Sequence, residues 1–131
     1  ADRLAFAEGL DYLVALLPET PATDDLVDRE LLDRLSTGAI FINAGRANSV
    51  VDAELLDALA DGRLRSAVLD VTRREPLPPD HPFWKVEGLF LTSHTAAPTS
   101  TPAVVEVFAE NYRRYMAGSP LLHRVDFERG Y

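Results

Sequence analysis

Four short apolar runs constrain this chain more than anything else in it: "DYLVALLP" (11–18), "AIFINAG" (39–45), "SAVLDVT" (66–72) and "LFLTS" (89–93). Each is nearly continuous in apolar residues instead of alternating, the pattern of a strand buried on both faces in a parallel sheet. Helical patterns separate the first three. Val27, Leu31 and Leu35 repeat at i, i+4 and i+8, with Gly38 placed to stop the helix. Asp52 is placed as an N-cap before the stripe Leu55, Leu56 and Leu59, and Gly62 ends that helix. A last helix is expected with Thr101 as N-cap and Pro102 in its first turn, running to about Ala117 before Gly118. The segment "RREPLPPDHPFWKVEG" has four prolines and no helical period, so it reads as a loop. This order predicts an α/β layer with right-handed crossovers.

Composition narrows the classes. The 131 residues are 47% hydrophobic and 26% charged, as expected for one globular unit, here residues 1–117 with a tail at 118–131. The absence of cysteine excludes a disulfide framework and a thiolate metal site, and it fits a reducing, cytoplasmic setting. A net charge of −8 argues against nucleic acid or an anionic membrane as partner. No run is long enough to cross a bilayer. The opening "ADRLAFAEG" lacks an initiator methionine and lies about ten residues before an apolar strand, so the chain is expected to be part of a longer polypeptide.

In an open parallel sheet, ligands bind beyond the carboxyl ends of the strands. Four polar residues fall there: Arg46 after the second run, Asp70 near the end of the third, Glu75 just beyond it, and His94 closing the fourth. Each alone is ordinary. Together at one edge they form a constellation with a purpose. A histidine beside a carboxylate is held in one tautomer and suits a general acid. An arginine fork suits a substrate carboxylate or phosphate. The trio of Arg46, Glu75 and His94 therefore points to proton transfer at a carbonyl or hydroxyl carbon of a small acid.

Other chemistries are excluded. No serine has the flanking glycines of a nucleophile elbow. His81, His94 and His123 lack ligand spacing, so no metal is expected. There is no P-loop, and none of the seven glycines opens a G-x-G-x-x-G.

The Arg after "IN-x-x", the block "LDVTRREPLP" and the histidine in "SHTAA" together resemble the D-isomer-specific 2-hydroxyacid dehydrogenases over nearly the whole chain from about Asp11. The branch it looks most like is the glyoxylate/hydroxypyruvate reductases, whose chains often end in a similar D-x-x-R-G-Y. The resemblance implies an α/β fold: a partial Rossmann-type parallel sheet, the later half of a dinucleotide-binding domain, with flanking helices. It implies NAD or NADP as cofactor, with NADP favoured by the branch, and a small 2-keto or 2-hydroxy acid as substrate. Arg46 would hold the substrate carboxylate, His94 would donate the proton, and Glu75 would orient His94. Leu17, Pro18, Thr23, Ala44, Gly45 and Asp70 match positions that contact the dinucleotide, Asp70 near the nicotinamide carboxamide. Ala96 and Ala97 match small residues that leave room beside the histidine.

Ala47, Thr72 and Thr95 depart from the family's usual glycine, aromatic and aliphatic residues. Family members are more than twice as long. A fragment of one would lack the glycine-rich turn and be inactive alone, and its first strand would be left as a free apolar edge, which predicts homo-oligomers. The competing class is a non-catalytic α/β module. A receiver-like domain would need a carboxylate pair after its first strand and a lysine after its last, and neither is present. A vestigial half-domain that only associates would have no physical reason to keep Arg46, Glu75 and His94.

Overall fold

The four apolar runs form the strands β1 (Tyr12–Ala15), β2 (Ala39–Asn43), β3 (Leu64–Leu69) and β4 (Leu89–Leu91) of one sheet. They lie in sequence order and all pairs are parallel. The structure, a computed structural model, describes residues 2–131. The chain divides into two compact units, the first running to Ala96 and the second comprising Ala97–Tyr131.

In the first unit, α1 (Arg3–Ala7), α2 (Arg29–Leu32) and α3 (Asp52–Ala60) share one core with the sheet. The strand residues that enter this core, Leu13, Phe41, Ala67 and Leu69, alternate with residues on the opposite face. Phe41, Leu32, Leu55 and Leu64 are the largest fully buried side chains. Each such side chain contributes about 1.5–3 kcal/mol by leaving water.

The expectation of strands buried on both faces does not hold. β1 alternates exposed and buried, with Tyr12 and Val14 open to solvent, and Phe90 of β4 is open as well. The register places Val14, Ile42, Val68 and Phe90 in one row across this second face. The α helices of the first unit all pack on the other side.

Local chemistry explains the other differences. The helix predicted from Val27 is only one turn, Arg29–Leu32. Val27 instead makes an isolated parallel bridge to Val50, and Asp28 caps the helix by accepting from Leu31 N–H at 3.0 Å. Arg3 donates to both Asp28 carboxylate oxygens, at 2.7 and 2.9 Å, joining α1 to that cap. Gly38 therefore stops no helix; at φ +78° it leads into β2, donating to Arg63 O at 2.9 Å. α3 ends as expected at Gly62, which also has φ +78°. Its cap is Val51, so Asp52 is the first helical residue, where its charge still complements the helix N-terminus. The sequence pattern gives no sign of α1; Asp2 caps it by accepting from Leu4 N–H at 3.0 Å. The proline-rich loop contains one 3₁₀ turn, Pro82–Lys85, which buries Phe83.

The second unit holds α4 (Thr101–Met116), with Ser100 at the cap position and Thr101 already helical. The tail after it folds back along this helix. Asn111 pairs with the backbone of Leu122 in both directions, at 2.7 and 3.2 Å. Glu110 accepts from Arg113 and Arg114. No residue of α4 is buried. No helix among the described residues is long and apolar enough to cross a membrane.

Candidate active site

The strand register sets Ala15, Asn43, Leu69 and Leu91 level with one another. The chain therefore leaves all four strands at one edge, and the loops that begin there are gathered side by side. Arg46, Glu75 and His94 line a single cleft of about 510 Å³. Glu75 and His94 also line a second, more apolar cleft of about 530 Å³, with Asp70, Leu77, Trp84 and Leu91. All four expected groups thus lie at the carboxyl edge.

His94 and Glu75 are in direct contact, Nδ1 to Oε2 at 3.0 Å. With an ionised carboxylate as its partner, Nδ1 is the donor of this pair, which leaves Nε2 as the ring nitrogen available to other partners. The second oxygen of Glu75 accepts from Thr72 N–H at 3.1 Å, so the carboxylate is pinned from two sides. The hydrogen bond to His94, with that to Thr72, holds the Glu75 carboxyl below its usual range.

Arg46 is exposed at the start of a 3₁₀ turn, Ala47–Ser49. Its backbone is fixed by two buried side chains that sequence reasoning did not single out. The Asn43 amide accepts from Gly45 N–H at 3.0 Å and donates to Arg46 O at 3.2 Å. Ser49 Oγ donates to the same carbonyl at 2.8 Å. Asn43 shows its importance in the sequence only as a polar residue inside an apolar run.

Asp70 is buried at the end of β3. Its carboxylate accepts from the Thr92 hydroxyl, and from the Thr95 and Ala96 amides, both of these at 2.9 Å. Its own carbonyl accepts from His94 N–H at 2.8 Å. These donors, the Thr92 hydroxyl first, hold the Asp70 carboxyl below its usual range.

The remaining expected positions divide. Leu17, Pro18, Ala44 and Gly45 meet at the ends of β1 and β2, where Ala44 N–H donates to Ala15 O at 3.1 Å. Thr23 is turned inward: its hydroxyl donates to Pro18 O at 2.7 Å and closes the 18–23 loop on itself. Ala96 is exposed at the end of the first unit; Ala97 begins the second and is also exposed. Arg73, another residue that sequence reasoning passed over, binds Asp25 and the carbonyls of Asn48 and Val50, tying three loops together on the cleft wall.

The family model for the D-isomer specific 2-hydroxyacid dehydrogenase NAD binding domain matches residues 3–96. A D-isomer specific 2-hydroxyacid dehydrogenase from Xanthobacter autotrophicus Py2, solved with NADPH and MES, is 39% identical with a TM-score of 0.92, over 98% of this chain and 53% of that one. The NADPH-dependent glyoxylate/hydroxypyruvate reductase of Sinorhizobium meliloti, solved with NADP and sulfate, is 39% identical with a TM-score of 0.91, over 98% and 42%. Phosphoglycerate dehydrogenase from Lactobacillus plantarum is 31% identical with a TM-score of 0.71, over 95% and 41%. The chain thus spans about half the length of the structures it matches. The four-stranded parallel sheet, the cleft at its carboxyl edge and these likenesses agree: the chain belongs to the D-isomer specific 2-hydroxyacid dehydrogenases, in their NAD-binding domain.

Proposed function

We propose that this chain carries the catalytic groups of an NAD(P)H-dependent reductase of short 2-keto acids of the glyoxylate or hydroxypyruvate type. The observation that carries the reading is the contact between His94 Nδ1 and Glu75 Oε2 at 3.0 Å, on the wall of a cleft that also holds Arg46. Arg46 binds the substrate carboxylate and fixes the carbonyl beside His94. Glu75 keeps the Nδ1 proton in place and balances the positive charge of the ring. His94 donates its Nε2 proton to the carbonyl oxygen as the carbon is reduced, and takes it back in the reverse direction. The nicotinamide, when bound, supplies the hydride.

The residues at the edge fit the nicotinamide end of such a cofactor. A carboxylate offers about four acceptor positions, of which Asp70 uses three internally, leaving one for a carboxamide. Ala44, Gly45 and Ala96 are small, and Leu17 and Pro18 are partly buried beside them. Thr23 serves by holding the Leu17–Pro18 loop. Ala97 continues the small-residue stretch. The pyrophosphate has no such provision, because no glycine of the chain opens a G-x-G-x-x-G turn. The 131 residues alone therefore do not turn over, and the catalytic reading applies to an enzyme in which they work beside such a turn. The absence of cysteine supports work in a reducing cytoplasm.

The test is oxidation of NADPH or NADH by the enzyme containing these residues, with glyoxylate and hydroxypyruvate. His94→Asn should lower kcat by about 10² to 10⁴. Arg46→Ala should chiefly raise KM for the keto acid. If neither substitution changes turnover, the alternative stands: a non-catalytic association module.

A specific observation also supports self-association. β1 is an edge strand, and Tyr12, Val14 and Leu16 beside it are 60%, 52% and 69% exposed. Such an edge is a template for pairing with a second copy. Sedimentation at several concentrations tests this, and a monomer throughout removes it.

A further inference from the structure

His94 is a non-glycine residue at φ +57°, in the left-handed region that a side chain seldom occupies. Something must hold it there, because the same turn sets the direction of the imidazole toward Glu75. Residues 94–96 turn all three of their backbone N–H groups to one residue. His94 N–H reaches Asp70 O at 2.8 Å, Thr95 N–H reaches Oδ1 and Ala96 N–H reaches Oδ2, both at 2.9 Å. The Thr92 hydroxyl also donates to Oδ1. Successive amides around a left-handed residue form a concave anion site, and here the anion is a side chain of the protein itself.

We propose that Asp70 and Thr92 are positioning residues for His94: the buried carboxylate fills the nest of the Thr95 and Ala96 amides that follow the histidine, the Asp70 carbonyl takes the His94 amide, and the Thr92 hydroxyl aims the carboxylate. This assignment rests on the reading of His94 as the acid. It differs from a cofactor contact in what it demands. An approaching carboxamide needs one free oxygen position, whereas the nest needs both oxygens as acceptors. Asparagine at position 70 would present an NH₂ to one of the amides and break the turn, although its size is unchanged. Thr92 touches the nest only through its hydroxyl, at an exposed strand end, so its removal tests the device without opening the core.

The experiment compares Thr92→Val, Thr92→Ser and Asp70→Asn in the active enzyme, with melting temperature as a control for folding. Misplacing a catalytic group by about 1 Å costs up to about 10² in rate. Thr92→Val is expected to lower kcat by about tenfold or more, with KM for the keto acid and for NADPH unchanged, and Thr92→Ser to restore it. Proton NMR without cofactor gives the second readout. The exchange protection of the Thr95 and Ala96 amides and the His94 Nδ1 proton signal should both be lost in Asp70→Asn, while the amide of Phe41 in β2 stays protected. If Thr92→Val keeps full kcat, and Asp70→Asn raises only KM for NADPH with the 95 and 96 amides still protected, the proposal is overturned and Asp70 is a cofactor contact alone. A His94→Asn enzyme with undiminished kcat would instead overturn the assignment of the acid, a failure distinct from that of the nest.

Discussion

Gly45 and Leu17 approach so closely that no side chain fits between them: a Cβ built on Gly45 would lie 2.6 Å from Leu17 N and 2.8 Å from Leu17 O. The neighbours are backbone, which cannot swing aside as a flexible side chain would. Gly45 is thus required by chain packing, and the same contact sets how the ends of β1 and β2 meet. Gly45→Ala should destabilise by about 1–3 kcal/mol, the usual result of forcing backbone shifts in a packed region. A melting temperature equal to wild type would show that the 16–18 loop yields freely.

Glu75 and His94 test the charge of the pair apart from its shape. Glu75→Gln can give its one carbonyl either to Thr72 N–H or to His94 Nδ1–H, but the native carboxylate serves both, at 3.1 and 3.0 Å. It also removes the charge that balances a protonated ring. The expected loss is roughly 10²–10⁴ in kcat, in the range seen when a histidine's orienting carboxylate is neutralised. Steady-state kinetics decide it; a kcat within about twofold of wild type would show that Glu75 holds the loop and does nothing for the proton.

Asn43 offers a stability test of how Arg46 is held. Among the described residues its amide is the sole side-chain partner of Gly45 N–H and one of two side-chain donors to Arg46 O, and it is almost fully buried. Asn43→Leu leaves a buried donor without its partner, which costs about 1–3 kcal/mol. Ser49→Ala should cost less, about 0.5–1.5 kcal/mol, because Arg46 O keeps the Asn43 bond. Chemical denaturation of the two variants should give that order, and the reverse order would mean that the serine is the principal support.

How much of this is legible in the sequence depends on the kind of signal each feature leaves. The strands are readable because a parallel sheet needs apolar runs, and the carboxyl-edge trio because Arg46, Glu75 and His94 are polar residues in or after those runs. The open second face is not. Val14 and Phe90 look the same in sequence whether or not anything in their own unit covers them. The Val27 stripe misleads because a residue buried by a bridge to Val50 has the same polarity as one buried in a helix. Thr92 and Ser49 act through their hydroxyls on atoms that the folded chain brings near, and spacing alone carries no trace of that for the contact across 22 residues between Thr92 and Asp70.

Acid should destabilise the protein, and Asp28 gives the sign directly. Its hydrogen bonds from Arg3, with that from Leu31 N–H, hold its carboxyl below the usual range. A depressed carboxyl contributes stability that is present above the unfolded value of about 3.9 and is lost as pH falls through the folded value. Asp70 and Glu75 are shifted the same way and add to the effect. Asp52 opposes it, because burial raises its carboxyl and favours the protonated form. Asp28→Ala removes both the cap of α2 and the partner of Arg3, and should cost about 1–2 kcal/mol at about pH 7. The difference from wild type should shrink as pH falls below about 3.9, because the unfolded chain then takes up a proton that the native carboxylate, held below its usual range, resists. A difference that stays constant over that fall in pH would show that the cap works without its charge and that the Arg3 pair contributes nothing.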